Sequence, residues 1–241
     1  MIRTGTLEQA RANRRKLTLA NGTGYWKSEL IASPGGERPA PQAFLVEQDA
    51  GSVVLPHFHV QDEFQIVLQG GGSIGRHAAR PISVHYAGAH TGYGPITAGP
   101  EGLWYLTLRP MMDSGALFLP DARPQMLRSV PKRHLLGGPV EVSDECDRIP
   151  AVSVDEVIAP QPDGIAAWRL RIPPSQRACA PAHPGGLGRF YLVLAGALEH
   201  AGALLPRLAS LFVSCEDEPF RLEAGAQGAQ LLVVQFPQHA S

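Results

Sequence analysis

GSVVLPHFHVQDEFQIVLQG, residues 51–70, brings His57, His59 and Glu63 into one short stretch of β-type sequence. Side chains on a strand alternate between its two faces, so His57 and His59 point the same way, with their backbones roughly 6 to 7 Å apart. Glu63 follows a short bend and begins the next predicted strand, whose return beside the first would bring its carboxylate to the two imidazoles. Two imidazoles and one carboxylate form a facial triad that suits Fe(II), and Zn, Mn or Ni could occupy the same ligands. The alternative is that these three side chains only hydrogen-bond one another.

The composition is that of a globular protein with many short strands. Hydrophobic residues make up 44% of the 241 positions, and 26 glycines and 22 prolines favour tight turns over long helices. The formal net charge of -1 provides no excess positive charge to attract nucleic acid, so no nucleic-acid partner is expected. No run of apolar residues is long enough to span a membrane, so no membrane partner is expected either. Three cysteines without a CxxC pattern, and no apolar segment of a signal peptide, predict a reducing, cytoplasmic location.

The sequence repeats itself at an offset of 126 residues. HFHVQDEFQIVLQG (57–70) lies over HPGGLGRFYLVLAG (183–196), and AGPEGLWYLTL (98–108) lies over AGAQGAQLLVV (224–234) without gaps. Two separated stretches with one offset predict a duplicated domain. The boundary is expected within the Pro-, Gly- and Arg-rich segment 120–139, which gives an N-terminal domain of residues 1–125 and a C-terminal domain of residues 126–241.

Both halves are predicted to be all-β. Short runs rich in β-branched and aromatic residues alternate with Gly, Pro and Asp, as in AFLVE, SVVLPHFHV, EFQIVLQG and LWYLTLRP of the first half and AAWRLRI, RFYLVLAG and AQLLVVQF of the second. One short helix is expected in TLEQARANRRK, residues 6–16, with Thr6 as its N-cap and Gln9 at the capping-box position. Its basic residues are interpreted as a solvated face rather than a nucleic-acid patch.

The spacing of Gly51, His57, His59, Glu63 and Gly70 resembles the first motif of the cupin superfamily at every fixed position. Together with the duplication, the chain looks like a bicupin over roughly residues 25 to 237. The resemblance implies two tandem cupin barrels, of the double-stranded β-helix or jelly-roll type, with the site inside the first barrel. It also implies that the two histidines and the glutamate correspond to three of the usual four metal ligands.

The fourth ligand is where the sequence departs from the family pattern. The second cupin motif implies a histidine after a Pro-x-Gly turn, and residues 88–99 carry none at that place. His90 lies a few residues early and is either the fourth ligand or an ordinary loop residue. Tyr93 is expected to line the cavity.

Strand alternation predicts further residues of the cavity wall. Gln65 shares the face of Glu63, and on the last strand either Tyr105 with Thr107 or Trp104 with Leu106 points inward. Gln65 and Tyr105, together with Tyr93, are therefore predicted to be substrate-pocket residues.

The second half has lost most of the motif. His183, Gly185 and Arg189 lie at the positions of His57, His59 and Glu63, so a cation replaces the carboxylate. This domain is expected to be structural, and a minor alternative is that His183 and Arg189 bind a carboxylate or phosphate.

Three hypotheses for function remain open from the sequence. The first is a metal-binding bicupin with Fe(II)-dependent, dioxygenase-like activity on a small molecule. The second is a metal-dependent isomerase or lyase. The third is a non-catalytic small-molecule-binding or structural cupin, which the missing fourth ligand and the degenerate second half favour. The expected partner is a small-molecule ligand or substrate, and a homodimer is also considered.

Overall fold

The computed structural model of the chain describes residues 1–19, 22–33, 36, 39–182 and 186–238. It consists of two compact units, an N-terminal unit of Ala10–Pro139 and a C-terminal unit of Val140–Ser241 together with Met1–Gln9. The two units divide after residue 139, at the end of the segment 120–139 and 14 residues beyond the predicted division after residue 125. The first nine residues belong with the second half of the chain, which local sequence patterns do not indicate.

The N-terminal unit is an antiparallel β structure. Its main sheet has the order β12-β9-β7-β10-β4-β3-β2, with β5 on β10 and β8 on β7, while β6 and β11 form a separate two-stranded ribbon. The strands are β2 (Arg15–Thr18), β3 (Gly24–Ile31), β4 (Gln42–Gln48), β5 (Val53–Val54), β6 (His57–Phe58), β7 (Glu63–Ile74), β8 (His77–Ala79), β9 (Val84–Ala87), β10 (Ile96–Arg109), β11 (Leu117–Phe118) and β12 (His134–Gly137).

The C-terminal unit repeats this plan. Its sheet has the order β1-β18-β16-β19-β14-β13, with β15 on β19 and β17 on β16. The strands are β1 (Ile2–Gly5), β13 (Ser153–Ile158), β14 (Ala166–Ile172), β15 (Arg177–Cys179), β16 (Gly188–His200), β17 (Ala203–Leu205), β18 (Ser210–Ser214) and β19 (Arg221–Gln235). The edge strand β1 pairs with β18 from Ile2 opposite Val213 to Gly5 opposite Ser210.

The all-β fold class is confirmed. Within the described residues, the α-helical part is one short helix, α1 (Leu7–Arg11), and short 3₁₀ turns lie at Arg123–Gln125, Cys146–Arg148 and Cys215–Asp217. The edge strands of each sheet do not pair with each other there, so the sheets are not closed into continuous barrels. No helix in these ranges has the length and apolarity that crossing a membrane requires.

Matching glycine pairs mark the internal repeat in three dimensions. Gly70 has a φ of +71°, and a Cβ there would lie 2.1 Å from the Gly102 carbonyl oxygen. Gly196 has a φ of +68°, and a Cβ there would lie 2.1 Å from the Gly228 oxygen. Both sites combine a left-handed backbone with a close approach that only glycine allows. Each lies where the register of the central pair, β7 with β10 or β16 with β19, shifts at a bulge.

Two local predictions need correction. The predicted helix of residues 6–16 is only α1, because the Asn13 side chain bonds the backbone of Glu29 and the chain then enters β2. The capping box itself is present, with hydrogen bonds of 3.2 Å in both directions between Thr6 and Gln9. The predicted strand SVVLPHFHV is divided into β5 and β6 on either side of Pro56, which cannot donate a ladder hydrogen bond.

Candidate functional site

The structure brings His57, His59 and Glu63 together in the interior of the N-terminal unit. His57 is held by paired backbone hydrogen bonds with Tyr93, of 3.0 and 2.9 Å, and Glu63 begins β7. The ring centroids of the two histidines are 5.3 Å apart, and His59 Nε2 lies 3.9 Å from Glu63 Oε2. All three side chains are buried, although His59 lies just beyond the end of β6 rather than within one strand with His57.

The hydroxyl of Tyr93 lies at the centre of this cluster. It donates a short hydrogen bond to Glu63 Oε1, accepts one of 3.2 Å from Gln65 Nε2, and lies 2.9 Å from His57 Nε2. Burial, together with the charge of Glu63, raises the pKa of Tyr93 well above its usual value. Tyr93 therefore stays protonated and has one hydrogen to share.

His57 is left as a buried acceptor in need of a donor. Its Nδ1 lies 2.7 Å from the carbonyl oxygen of Leu55, which can only accept, so Nδ1 carries the proton and Nε2 has the lone pair. Burial, followed by the neighbouring His59, lowers the pKa of His57 to about 4, so the ring is neutral at pH 7. His57 Nε2 and Glu63 Oε1 thus compete for the single hydroxyl hydrogen of Tyr93.

Arg109 is a member of the cluster that the sequence analysis did not identify. It ends β10 one position beyond the Phe64–Leu108 pair, which puts it beside Glu63. Its Nε and Nη2 donate to Glu63 Oε2 at 3.0 and 2.8 Å, and Nη2 also donates to His59 Nε2 at 3.0 Å. Every second residue of β10 faces inward, so the alternation that predicted Tyr105 and Thr107 also predicts an inward-facing Arg109.

Asp113 completes the arrangement and fixes the tautomer of His59. A guanidinium has no acceptor, so His59 Nε2 must accept from Arg109, and His59 Nδ1 then donates to Asp113 Oδ1 at 2.8 Å. Asp113 also accepts from the backbone of Val60 and Gly115. Burial raises the pKa of Asp113, but the hydrogen bond from His59 and the nearby charges outweigh it and hold the pKa at about 2.

Glu63 is ionised in this surrounding. Burial raises the pKa of its carboxyl group, whereas His59, Arg109 and the Tyr93 hydroxyl lower it, and the result is about 2. The cluster therefore contains the carboxylates of Glu63 and Asp113, the guanidinium of Arg109 and the neutral imidazole of His57 at pH 7.

The cluster opens onto a cavity of about 220 Å³. The predicted residues Gln65, Tyr93 and Tyr105 all line this cavity, as does Thr107. Tyr105 and Thr107 are only 4% and 2% exposed, and their hydroxyls have no hydrogen-bond partner among the described residues. The apolar part of the lining includes Tyr25, Phe44, Val46, Val54 and Phe118.

His90 is not among the described residues that line the cavity. Its backbone has a φ of +55°, its ring packs against Phe58 with centroids 5.7 Å apart, and its Nδ1 accepts a hydrogen bond from the backbone of Leu127. Phe58 alternates with His57 and His59, so this contact directs His90 away from them. The structure thus gives His90 a packing role at a loop and does not bring it to the triad.

A hydrogen-bonded chain continues from the cluster toward the surface of the N-terminal unit. Gln65 Oε1 lies 2.9 Å from His85 Nδ1, and His85 Nε2 lies 3.2 Å from His134 Nδ1. His85 is buried, and burial followed by the charge of His134 lowers its pKa to about 4. Local sequence patterns do not indicate this histidine pair, because its members lie far apart along the chain.

The C-terminal unit has a different interior at the equivalent place. Arg189 lies opposite Gln235 in the sheet, as Glu63 lies beside Arg109 in the other unit, and its Nε donates to Gln235 Oε1 at 2.6 Å. Apolar side chains that include Trp168, Tyr191 and Leu231 form the core of this unit. His183 and Gly185, which were compared with His57 and His59, lie outside the described residues.

The side chains as arranged do not fit a divalent metal ion. Among the described residues, no group of three or more His, Cys, Asp and Glu side chains is placed to hold one. The lone pair of His59 Nε2 and those of Glu63 Oε2 already accept hydrogen bonds from Arg109, and an ion between them would lie against a guanidinium. The predicted ligands therefore converge, but on Arg109 and Tyr93.

Comparison with known proteins identifies the fold. The sequence matches no protein-family model and no curated protein. Among solved structures, the chain is similar to the pirin YhhW of Escherichia coli in complex with nickel(II), with a TM-score of 0.57 and 13% identity over 99% of this chain and 100% of that one. It is also similar to a candidate dioxygenase from Nostoc punctiforme, with a TM-score of 0.59 and 13% identity over 100% of this chain and 81% of that one.

A third similar structure is an oxalate decarboxylase, with a TM-score of 0.56 and 11% identity over 96% of this chain and 77% of that one. At such low identity these similarities establish a shared fold and no shared activity. The chain therefore has the all-β fold of these cupin structures, as the spacing of residues 51–70 predicted.

Proposed function

We propose that the N-terminal unit binds a small, oxygen-bearing molecule in the cavity beside Tyr93, and that the C-terminal unit is structural. The observation that carries this proposal is the pair of hydroxyls on Tyr105 and Thr107, which face the cavity from otherwise buried side chains and have no hydrogen-bond partner among the described residues. A ligand that fills the cavity displaces water from these hydroxyls, so it must offer them hydrogen bonds of its own, because a polar group left buried and unpaired costs about 1–3 kcal/mol. Oxygen atoms of a ligand would satisfy both.

The cavity also defines the kind of ligand. Its volume of about 220 Å³ is small for a ligand site, so the ligand is compact. Tyr25, Phe44 and Phe118 supply aromatic surface, and the ammonium of Lys27 lies 4.1 Å from the Phe44 ring centroid. His57 Nε2 lacks a donor of its own, so a ligand hydroxyl would suit it. The lining therefore favours a compact ring compound with hydroxyl and carbonyl oxygens.

The experiment is a binding screen on protein stripped with a chelator. Calorimetry with a panel of phenols, hydroxybenzoates and cyclic hydroxyketones should find ligands that bind without added metal. Removal of one hydrogen bond should weaken them roughly three- to tenfold in Tyr105→Phe and Thr107→Val. Thr97→Val, on the same strand β10 but outside the cavity lining, is the matched control and should bind as the wild type does. Equal affinity in all four proteins, or no binding by any of them, would contradict the proposal.

A dioxygenase-like enzyme with Fe(II) is the second candidate. The convergence of His57, His59 and Glu63 favours it, as does the fold shared with a nickel(II)-bound pirin and a candidate dioxygenase. Zn, Mn or Ni at the same residues would correspond instead to an isomerase or lyase. Each of these requires Arg109 to leave Glu63 and His59. Elemental analysis and oxygen-uptake measurements on iron-treated protein test this candidate, and equal metal content in the wild type and a His57→Ala, His59→Ala variant would reject it.

A further inference from the structure

We propose that Arg109 takes the place of a divalent metal ion in this cupin site, so that the chain excludes such an ion from His59 and Glu63. The inference concerns the metal alone and holds whether or not the cavity binds the ligand proposed above. It assigns a function in metal specificity to a residue that the cupin motif does not include.

The distances fit a guanidinium better than an ion. Arg109 Nη2 lies 3.0 Å from His59 Nε2 and 2.8 Å from Glu63 Oε2, while these two acceptors are 3.9 Å apart. Ligand atoms bonded at about 2.0–2.2 Å to one zinc ion in tetrahedral geometry lie only about 3.5 Å apart. The two acceptors are thus spread around a nitrogen that stands where the ion would be.

The charges are also arranged for one fixed cation. Arg109 is 4% exposed, contacts Glu63 directly, and lies 3.5 Å from Asp113 through Nη1. The arginine keeps its charge at all accessible pH values, so it cannot give way by losing a proton. A divalent ion bound to His59 and Glu63 would meet this permanent positive charge in a buried site, where screening by water is weak.

The C-terminal unit supplies an independent observation. There the equivalent sheet positions hold Arg189 and Gln235, joined at 2.6 Å. The arginine lies on β16 in that unit and on β10 in the other, so it occupies opposite members of an equivalent pair of sheet positions. Both units therefore hold a buried arginine within the pair of sheet positions that Glu63 and Arg109 occupy in the N-terminal unit.

The test is the affinity for Ni²⁺ and Zn²⁺ of purified protein, measured by equilibrium dialysis with elemental analysis. The wild type should retain no more metal than its His59→Ala variant. Arg109→Met removes the guanidinium but keeps an unbranched side chain. This variant should bind one equivalent of Ni²⁺ or Zn²⁺ with an affinity at least 100-fold higher than that of the wild type. Adding His59→Ala to Arg109→Met should abolish the gain. The matched control, Arg189→Met, removes the equivalent buried arginine and should gain nothing.

Folding of the variants is checked by circular dichroism, and Arg109→Gln serves as a second variant that still donates a hydrogen bond to Glu63. The measurement on the wild type tests the inference even if both variants fail to fold. One tightly bound equivalent of metal in the wild type that is lost in His59→Ala would overturn the inference. Folded Arg109 variants without any gain would also overturn it. If the calorimetric screen finds no ligand, the proposed function fails but the expected metal affinities do not change. The two proposals can therefore be rejected independently.

Discussion

Mild acid should destabilise the N-terminal unit through His57, and His57→Gln should remove that part of the effect. Burial, followed by the neighbouring His59, lowers the pKa of His57 to about 4 from the ordinary 6.5. The folded state therefore prefers the neutral ring, and the stabilisation is present above pH 6.5 and is lost as the pH falls toward 4. At 1.36 kcal/mol for each pKa unit, the wild type should lose about 3 kcal/mol between pH 7 and pH 4 from this one group.

The assay is urea unfolding at pH 7, 6, 5 and 4, with hydrogen exchange of β7 and β10 as the signal from the N-terminal unit. Other groups titrate in the same range, so the informative quantity is the difference between the wild type and His57→Gln at each pH. That difference should shrink by about 3 kcal/mol from pH 7 to pH 4. His200→Gln in the C-terminal unit controls for a general effect of replacing histidine. A difference that stays constant with pH would show that His57 is not held neutral by its surroundings.

Other substitutions test the remaining contacts. Glu63→Gln should cost about 3–5 kcal/mol at pH 7 in urea unfolding, because it leaves the buried Arg109 with a weaker partner, whereas the exposed Glu199→Gln should cost little. The pKa of Glu63 is about 2, so this loss should fade as the pH falls from about 4.5 toward 2, and a pH-independent loss would contradict the ionised pair. Gly70→Ala should lower the free energy of unfolding by roughly 3 kcal/mol or more, because its Cβ would overlap the Gly102 oxygen. Gly51→Ala is the control and should cost only about 1–2 kcal/mol, because Gly51 also has a positive φ, of +69°, but has open space around its Cβ position. Equal costs for the two variants would argue against the close approach at Gly70. Deletion of residues 1–5 should speed amide exchange in β18, since it removes the partner of Leu211 and Val213, and unchanged exchange there would contradict the pairing of β1.

Local periodicity accounts for what the sequence predicted well. Alternation along a strand identified His57 and His59 as neighbours and offered Tyr105 with Thr107 as one inward-facing pair. The glycines at turns helped to identify the repeat and its offset of 126 residues. Gly70 and Gly196 recur at this offset because both occupy backbone conformations that few other residues adopt. The fold class followed from these patterns and is confirmed.

The missing parts depend on contacts between distant positions. Arg109 reaches Glu63 only through the register of β10 on β7, and Asp113 reaches His59 only after the chain turns back beyond β10. No single stretch of sequence encodes either contact. The metal-ligand role of the triad remains a prediction from the motif, and the contacts of Arg109 are the physical reason to question it.

The pairing of β1 with β18 makes the N-terminal unit an insertion within the C-terminal one. While Ala10–Pro139 is unfolded and the rest of the C-terminal unit is already folded, pairing β1 with β18 means closing a loop of about 130 residues, which costs about 4 kcal/mol in chain entropy. Once that segment has folded, the distance between its ends is fixed and most of this penalty disappears. Folding of the first unit should therefore favour completion of the second through the topology of the chain.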